Sequence, residues 1–267
     1  MADARSKKVR FFHVDAFAER RFSGNPAAVM PMEEFLEDDL LQDLAAENSL
    51  PMTAFLVPGH DNYRIRWFTP TTEVPLCGHA TLASAAVVME RLEPGREVVE
   101  FESRSGRLTA RKRRHRYVLD LPARPTQPID VFPDLVKALG VDIPEARSGD
   151  FDFMAVLDNP SQVRDLDPDL GAIANLDRSG VIVTAPGEGS FDFVSRYFAP
   201  ADGLPEDPVT GVAHCTLAPY WGQRLGKSVL RARQVSHRGG ELICELVGKR
   251  VELEGACTFY LEGEAEI

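Results

Sequence analysis

The strongest hydrophobic signal in the chain lies at residues 79–92, where Ala80, Leu82, Ala83, Ala85, Ala86, Val87 and Val88 leave no polar face. A helix that is apolar all round belongs inside a core. Upstream, Tyr63–Phe68 alternates aromatic and β-branched residues with Arg64 and Arg66, which predicts a strand. Pro70 and Pro75 then interrupt regular structure. The helix entrance carries Cys77, Gly78, His79 and Thr81. Gly78 permits close backbone approach. The first-turn N–H groups and the positive end of the helix dipole favour an anion there.

The same grammar recurs about 130 residues later. Arg66, Phe68, Pro70 and Gly78 match Arg196, Phe198, Pro200 and Gly211, with three more residues between proline and glycine in the second copy. A second core helix is predicted over 212–225, with Pro219 expected to bend it or delay its start. Two copies imply two domains of like fold, each with a buried central helix. Their N-termini could face one shared cleft, where a site would lie.

The remaining pattern is strand-rich. Strands are predicted at 9–17, after the Gly24-Asn25-Pro26 turn, within 49–57 where the chain leaves a helix, at 97–103 and 107–121 with a turn near Arg114-His115, and at 151–157, 181–184, 191–198, 229–235, 241–247 and 251–261. Helical spacing marks 33–48, 131–139 and 168–176. Residues 122–128 hold three prolines and read as an extended linker. These signals divide the chain into domains at 1–121 and 129–256, with a last strand at 257–267 packing on the first.

Composition narrows the classes. The chain has 267 residues, is 44% hydrophobic and 27% charged, and carries a net charge of −11. That charge argues against nucleic-acid binding, and no apolar run is long enough for a membrane span. The basic run Arg111–Arg116 reads as a solvated hairpin tip. Neither a secretory-type apolar stretch after the charged N-terminus nor a Cys-x-x-Cys spacing among Cys77, Cys215, Cys244 and Cys257 is present, so a cytoplasmic protein with reduced thiols is expected. The histidines form no metal-ligand spacing, and no nucleotide-binding glycine motif occurs, so no metal and no cofactor are expected.

Several residues carry chemistry that their surroundings must decide. His79 is a core histidine or an acid/base and substrate contact. Asp207 is a helix cap, a substrate-orienting carboxylate or a proton carrier. Asn25 is a turn residue or a site residue. Cys77 sits at a helix start, but a two-thiol racemase would need a cysteine where Thr210 stands, so a buried, inert thiol is the simpler reading.

Val14-Asp-Ala-Phe17, Phe22-Ser-Gly-Asn-Pro-Ala-Ala-Val29, Phe68-Thr-Pro70, Cys77-Gly-His-Ala-Thr81, Glu206-Asp-Pro-Val-Thr-Gly211 and Arg238-Gly-Gly-Glu-Leu242 occur in order over nearly the whole chain. Together they resemble the PhzF family of phenazine-biosynthesis-type isomerases. The resemblance implies an α+β, diaminopimelate epimerase-like fold: two pseudo-symmetric domains, each a β-barrel or roll around a central helix. It also implies a homodimer and cofactor-independent proton movement within a small carboxylic or amino acid. By position, His79 and Asp207 match the family's active-site histidine and aspartate. Asn25, Gly78, Thr210, Gly211 and Val212 fall on the substrate side. Two positions depart from the family pattern. Met52 stands where the family carries its acid/base glutamate, and Val212 replaces a serine. A thioether cannot transfer a proton. The expectation is therefore an isomerase with an altered base. A catalytically silent binding protein on the same fold is the alternative, and an epimerase or racemase is disfavoured by Thr210.

Overall fold

The computed structural model describes residues 8–267. The charged N-terminal stretch, read above as lacking a secretory signal, lies largely outside the described residues. The chain divides into two compact units. The first comprises residues up to Phe22, Pro26–Leu119 and Ala256–Ile267; the second comprises Ser23–Asn25 and Asp120–Gly255.

The first unit holds β1 (Lys8–Ala16), most of β2 (Asn25–Pro31), α1 (Asp38–Asn48), β3 (Thr53–Pro58), β4 (Tyr63–Phe68), β5 (Glu73–Val74), α2 (Gly78–Val87), β6 (Val98–Ser103), β7 (Gly106–Arg113) and most of β8 (Arg116–Pro122). All ten residues of α2 are buried, as its unbroken apolar run requires. A single π-helical turn, Val88–Leu92, continues it. α2 packs on β1, β3 and β7. On the opposite side of the sheet, Leu41 and Ala45 of α1 join Phe55, Val57 and Phe68 in a second apolar cluster. α1 begins five residues later than the helical spacing suggests, with Asp38 and Asp39 in its first turn against the positive end of the dipole.

The second unit holds β9 (Gln127–Ile129), α3 (Pro133–Leu139), β10 (Glu145–Ser148), β11 (Asp152–Val156), α4 (Pro160–Arg164), α5 (Leu170–Ala174), β12 (Gly180–Pro186), β13 (Phe193–Phe198), α6 (Gly211–Leu225), β14 (Val229–Gln234), β15 (Gly240–Val247) and β16 (Arg250–Gly255). α6 packs on β14, β15 and β16. At Gly222 the helix lies so near β15 that a Cβ would come within 2.4 Å of Leu246 Cδ1. Pro219 lies inside α6 and does not delay its start. Proline removes the N–H that would bond the carbonyl four residues back. That carbonyl, on Cys215, instead accepts from the backbone N–H of Arg124 at 2.9 Å.

The proline-rich stretch after β8 is bonded to the second unit. Residues 123–126 are tied into the second unit by Ala123 N–H to Lys249 O, by Arg124, and by Thr126, whose hydroxyl accepts from Arg147 at 2.8 Å. The predicted strand at 251–261 is two strands. β16 ends at Gly255, and β17 (Cys257–Glu266) pairs antiparallel with β1 in the first unit.

The internal repeat extends to topology. In the first unit the pairings β2–β3, β3–β4, β4–β6 and β6–β7 run parallel, antiparallel, parallel, antiparallel. In the second, β11–β12, β12–β13, β13–β14 and β14–β15 run in the same order. Thr53 pairs with Phe68, and Val181 pairs with Phe198. The matched arginines do the same work. Arg66 Nε and Nη2 fork onto Glu73 at 2.8 Å each, and Arg196 forks onto Glu206 at 2.6 and 2.9 Å. The guanidinium of Arg66 lies 5.0 Å from the ring of Phe68, and that of Arg196 lies 4.8 Å from Phe198.

Candidate active site

The arginine forks fix which residues of the two copies correspond. Glu73-Val-Pro-Leu-Cys-Gly-His79 aligns without a gap on Glu206-Asp-Pro-Val-Thr-Gly-Val212. Asp207 therefore has Val74 as its counterpart, Thr210 has Cys77, and His79 has Val212. The strand register extends the match to Met52 and Gly180. At Gly180 a Cβ would sit 2.4 Å from the Tyr197 hydroxyl, so that space is already filled. The scaffold is duplicated, but its proton-carrying groups are not.

In the second unit, the loop from β13 to α6 presents Asp207. Its backbone N–H donates to Tyr197 O at 3.0 Å, which anchors the loop to β13. The carboxyl is buried and each oxygen accepts one hydrogen bond: Oδ1 from Asn25 Nδ2 at 2.7 Å, Oδ2 from the Thr210 hydroxyl at 2.6 Å. Burial outweighs these bonds and pushes Asp207 up to about 6, with the adjacent Glu206 charge adding to the rise. Asp207 is not the helix cap: no side chain caps α6, whose N-cap is Thr210.

Asn25 follows Gly24 in the turn and reaches the Asp207 carboxyl. It is fully buried, and its amide also donates to Val209 O at 2.8 Å. Gly24, at φ 75°, allows the turn. Arg238 Nε donates to Gly24 O at 2.9 Å and Nη2 to Ser23 O at 3.2 Å, while Gly24 N–H donates to Gly239 O at 2.6 Å. The Arg238-Gly-Gly motif thus holds the Gly24-Asn25-Pro26 turn in place.

Sequence reasoning missed Gln234. This residue ends β14, is fully buried, and bonds both Asp207 and Thr210. No motif marks it. The only hint is a polar residue at an inward position of an alternating strand. His214, one turn into α6, donates through Nδ1 to Thr210 O at 2.8 Å, and burial lowers it to about 4. Cys215 is buried and its thiol is pushed up to about 12, so it is inert at neutral pH.

In the first unit, Gly78 opens α2, again without a side-chain cap. His79 is buried, and burial lowers it to about 3, so the ring is neutral at physiological pH. Cys77 Sγ lies 3.4 Å from its Nδ1. Met52 is buried immediately before β3, and its carbonyl accepts from Ala28 N–H at 2.9 Å. The turn that presents it is closed by Asn48 Nδ2, which donates to Thr53 Oγ1 at 3.1 Å. Among the described residues, no group of three or more His, Cys, Asp or Glu is placed to hold a metal, and no helix is long and apolar enough to cross a membrane.

This arrangement belongs to the epimerase-like class of folds. A hydroxyproline epimerase from Agrobacterium vitis, solved with bound trans-4-hydroxy-L-proline, aligns over 97% of this chain and 93% of its own with a TM-score of 0.64. At 11% identity that likeness speaks for the fold alone. Within the class, the profile of the phenazine biosynthesis-like (PhzC–PhzF) proteins matches residues 14–263, and the chain belongs to that family. An uncharacterised isomerase from Pseudomonas aeruginosa is 45% identical over 96% of this chain and 98% of its own. The crystal structure of a PhzF-family protein from Enterococcus faecalis has a TM-score of 0.95 at 44% identity, covering 98% of this chain and all of that one.

Proposed function

We propose that this chain is a cofactor-independent isomerase that moves a proton within a small carboxylic or amino acid, with Asp207 as the proton carrier. The observation that carries this reading is a buried carboxyl, hydrogen-bonded on both oxygens and lifted to about 6. Such a group is mostly ionised at pH 7, yet close enough to neutrality to take a proton and return it. The reaction breaks a C–H bond next to the substrate's conjugated system. The proton passes to Asp207, the electron pair delocalises, and the carboxyl delivers the proton to another carbon.

His79 enters in a revised role. With the ring neutral at working pH, it acts as a hydrogen-bonding partner of the developing charge and not as an imidazolium acid. The N-termini of α2 at Gly78 and of α6 at Gly211 lack side-chain caps, so each offers backbone N–H groups to a substrate carboxylate. Asn25 and Thr210 orient Asp207. Val212, on the first turn of α6, supplies its N–H and an apolar contact where a hydroxyl would otherwise stand. Met52 occupies the position of the family's glutamate and cannot carry a proton, which makes this a slow or altered isomerase.

Met52 also supports the second reading, a silent ligand-binding protein. Solvent-deuterium incorporation into a panel of amino acids and dihydroxyanthranilate-like acids separates the two. Wild type incorporates deuterium slowly, and Met52→Glu raises the rate by roughly 10²-fold. Binding of a panel acid with no incorporation by either protein selects the silent reading.

A further inference from the structure

We propose that Gln234 is a positioning residue for Asp207: its side-chain amide fixes the Thr210 hydroxyl as a donor, so that Asp207 is held as a proton acceptor with its reactive lone pair turned away from the protein. This inference rests on the reading of Asp207 as the proton carrier and adds a residue that no motif contains.

The hydrogen-bond inventory determines the polarity of the whole cluster. Thr210 N–H can only donate, so the Gln234 atom that faces it at 2.9 Å is the oxygen. The nitrogen of the same amide then faces Asp207 O at 2.7 Å and Thr210 Oγ1 at 3.2 Å. Both contacts use N–H donors, since Asp207 O can only accept. The Thr210 hydroxyl has one proton. Because its oxygen receives a bond from Gln234, that proton is turned to Asp207 Oδ2, 2.6 Å away. On the other oxygen, Asn25 Nδ2 donates to Asp207 Oδ1 and to Val209 O. Each oxygen therefore faces a donor whose direction is set by a second bond. A proton taken up by Asp207 has to sit on a lone pair that faces neither Asn25 nor Thr210.

The charged and titratable groups around this cluster are few. Glu206 is held by the Arg196 fork. From β13, Tyr197 bonds Asp152 at 2.9 Å through its hydroxyl. From α6, His214 bonds the Thr210 carbonyl. None of them donates to the Asp207 carboxyl among the described residues, so the hydroxyl and amide donors set its orientation.

The test is an NMR titration of the Asp207 carboxyl carbon, assigned by its loss in Asp207→Asn, in substrate-free protein. Gln234→Met keeps the length of the side chain and removes the amide. Thr210→Val removes the hydroxyl and leaves the backbone N–H that bonds Gln234. In wild type the carboxyl titrates near 6. Each single variant raises its midpoint by roughly one pH unit, a tenfold change in proton affinity, because a donor to the ionised form is lost. The double variant moves no further than Thr210→Val alone, since Gln234 acts through the hydroxyl. An unshifted midpoint in Thr210→Val, or additive shifts in the double variant, overturns the proposal. If Gln234→Met does not fold, Gln234→Glu, which keeps the acceptor for Thr210 N–H and loses the donors, is titrated in its place, with and without Thr210→Val. The Thr210-dependent part of its shift is lost in the double variant if the proposal holds and is retained if it does not. Shifts of the predicted size in a protein that incorporates no deuterium uphold the positioning and overturn only the assignment of Asp207 as proton carrier.

Discussion

Asp207 and His79 are displaced by burial in opposite directions, and the roles proposed for them rest on this. A buried acid is pushed up and a buried imidazole down: at Asp207 desolvation exceeds the opposing hydrogen bonds from Thr210 and Asn25, and at His79 burial acts unopposed. The residue types were legible in the sequence, but the outcome of that competition was not, since it depends on how completely each group is enclosed. Gln234 was illegible for a related reason: a glutamine at a strand end becomes a site residue only through the loop folded against it. The raised Asp207 has a cost with a definite sign. The unfolded carboxyl titrates near 3.8 and the folded one near 6. Its contribution is favourable while both are protonated and is lost as pH rises through 6. Relative to wild type, Asp207→Asn should therefore gain up to about 3 kcal/mol of unfolding free energy between pH 4 and pH 7. Urea titrations at the two pH values check this, and an unchanged difference contradicts it.

α2 was legible because a continuous apolar run has no alternative to burial, and α6 because it follows the second copy of the same strand–turn–glycine pattern; both occupy the predicted stretches within a residue or so at the start. Other boundaries were less clear. The start of α1 was placed too early because Phe35 and Leu36 pack against the same cluster from an irregular segment and mimic the helical period. The stretch 251–261 was read as one strand because the pattern does not reveal that Gly255 ends β16. α6 also carries an acid-sensitive group. His214 is lowered to about 4, so its stabilising contribution is complete above 6.5 and is lost as pH falls toward 4. His214→Gln should reduce the loss of stability between pH 6.5 and 4 by up to about 3 kcal/mol, read by denaturant unfolding. The Arg196 fork makes a second prediction for the β13–α6 loop. Lysine keeps the charge but not the two parallel bonds, so Arg196→Lys should cost roughly 1.5–3 kcal/mol and slow deuterium incorporation through the displaced loop. An equally stable and active variant would contradict that account.

For the whole molecule, the repeated Arg-x-Phe-x-Pro stretch announced a duplicated scaffold, and the matched strand pairings carry the duplication much further than the motif. The chemistry did not duplicate with it. His79 aligns with Val212 and Asp207 with Val74, so the two copies carry different titratable groups. The family suggests a homodimer, and light scattering is expected to give twice the chain mass of 29.5 kDa; the single-chain mass in solution would contradict it. The pH profile of solvent-deuterium incorporation tests whether Asp207 moves the proton. Wild-type incorporation should rise through a single ionisation near 6 and level off above it, and it should be lost in Asp207→Asn and sharply reduced in His79→Ala. Incorporation that survives both substitutions, or that shows no ionisation near 6, would contradict the account.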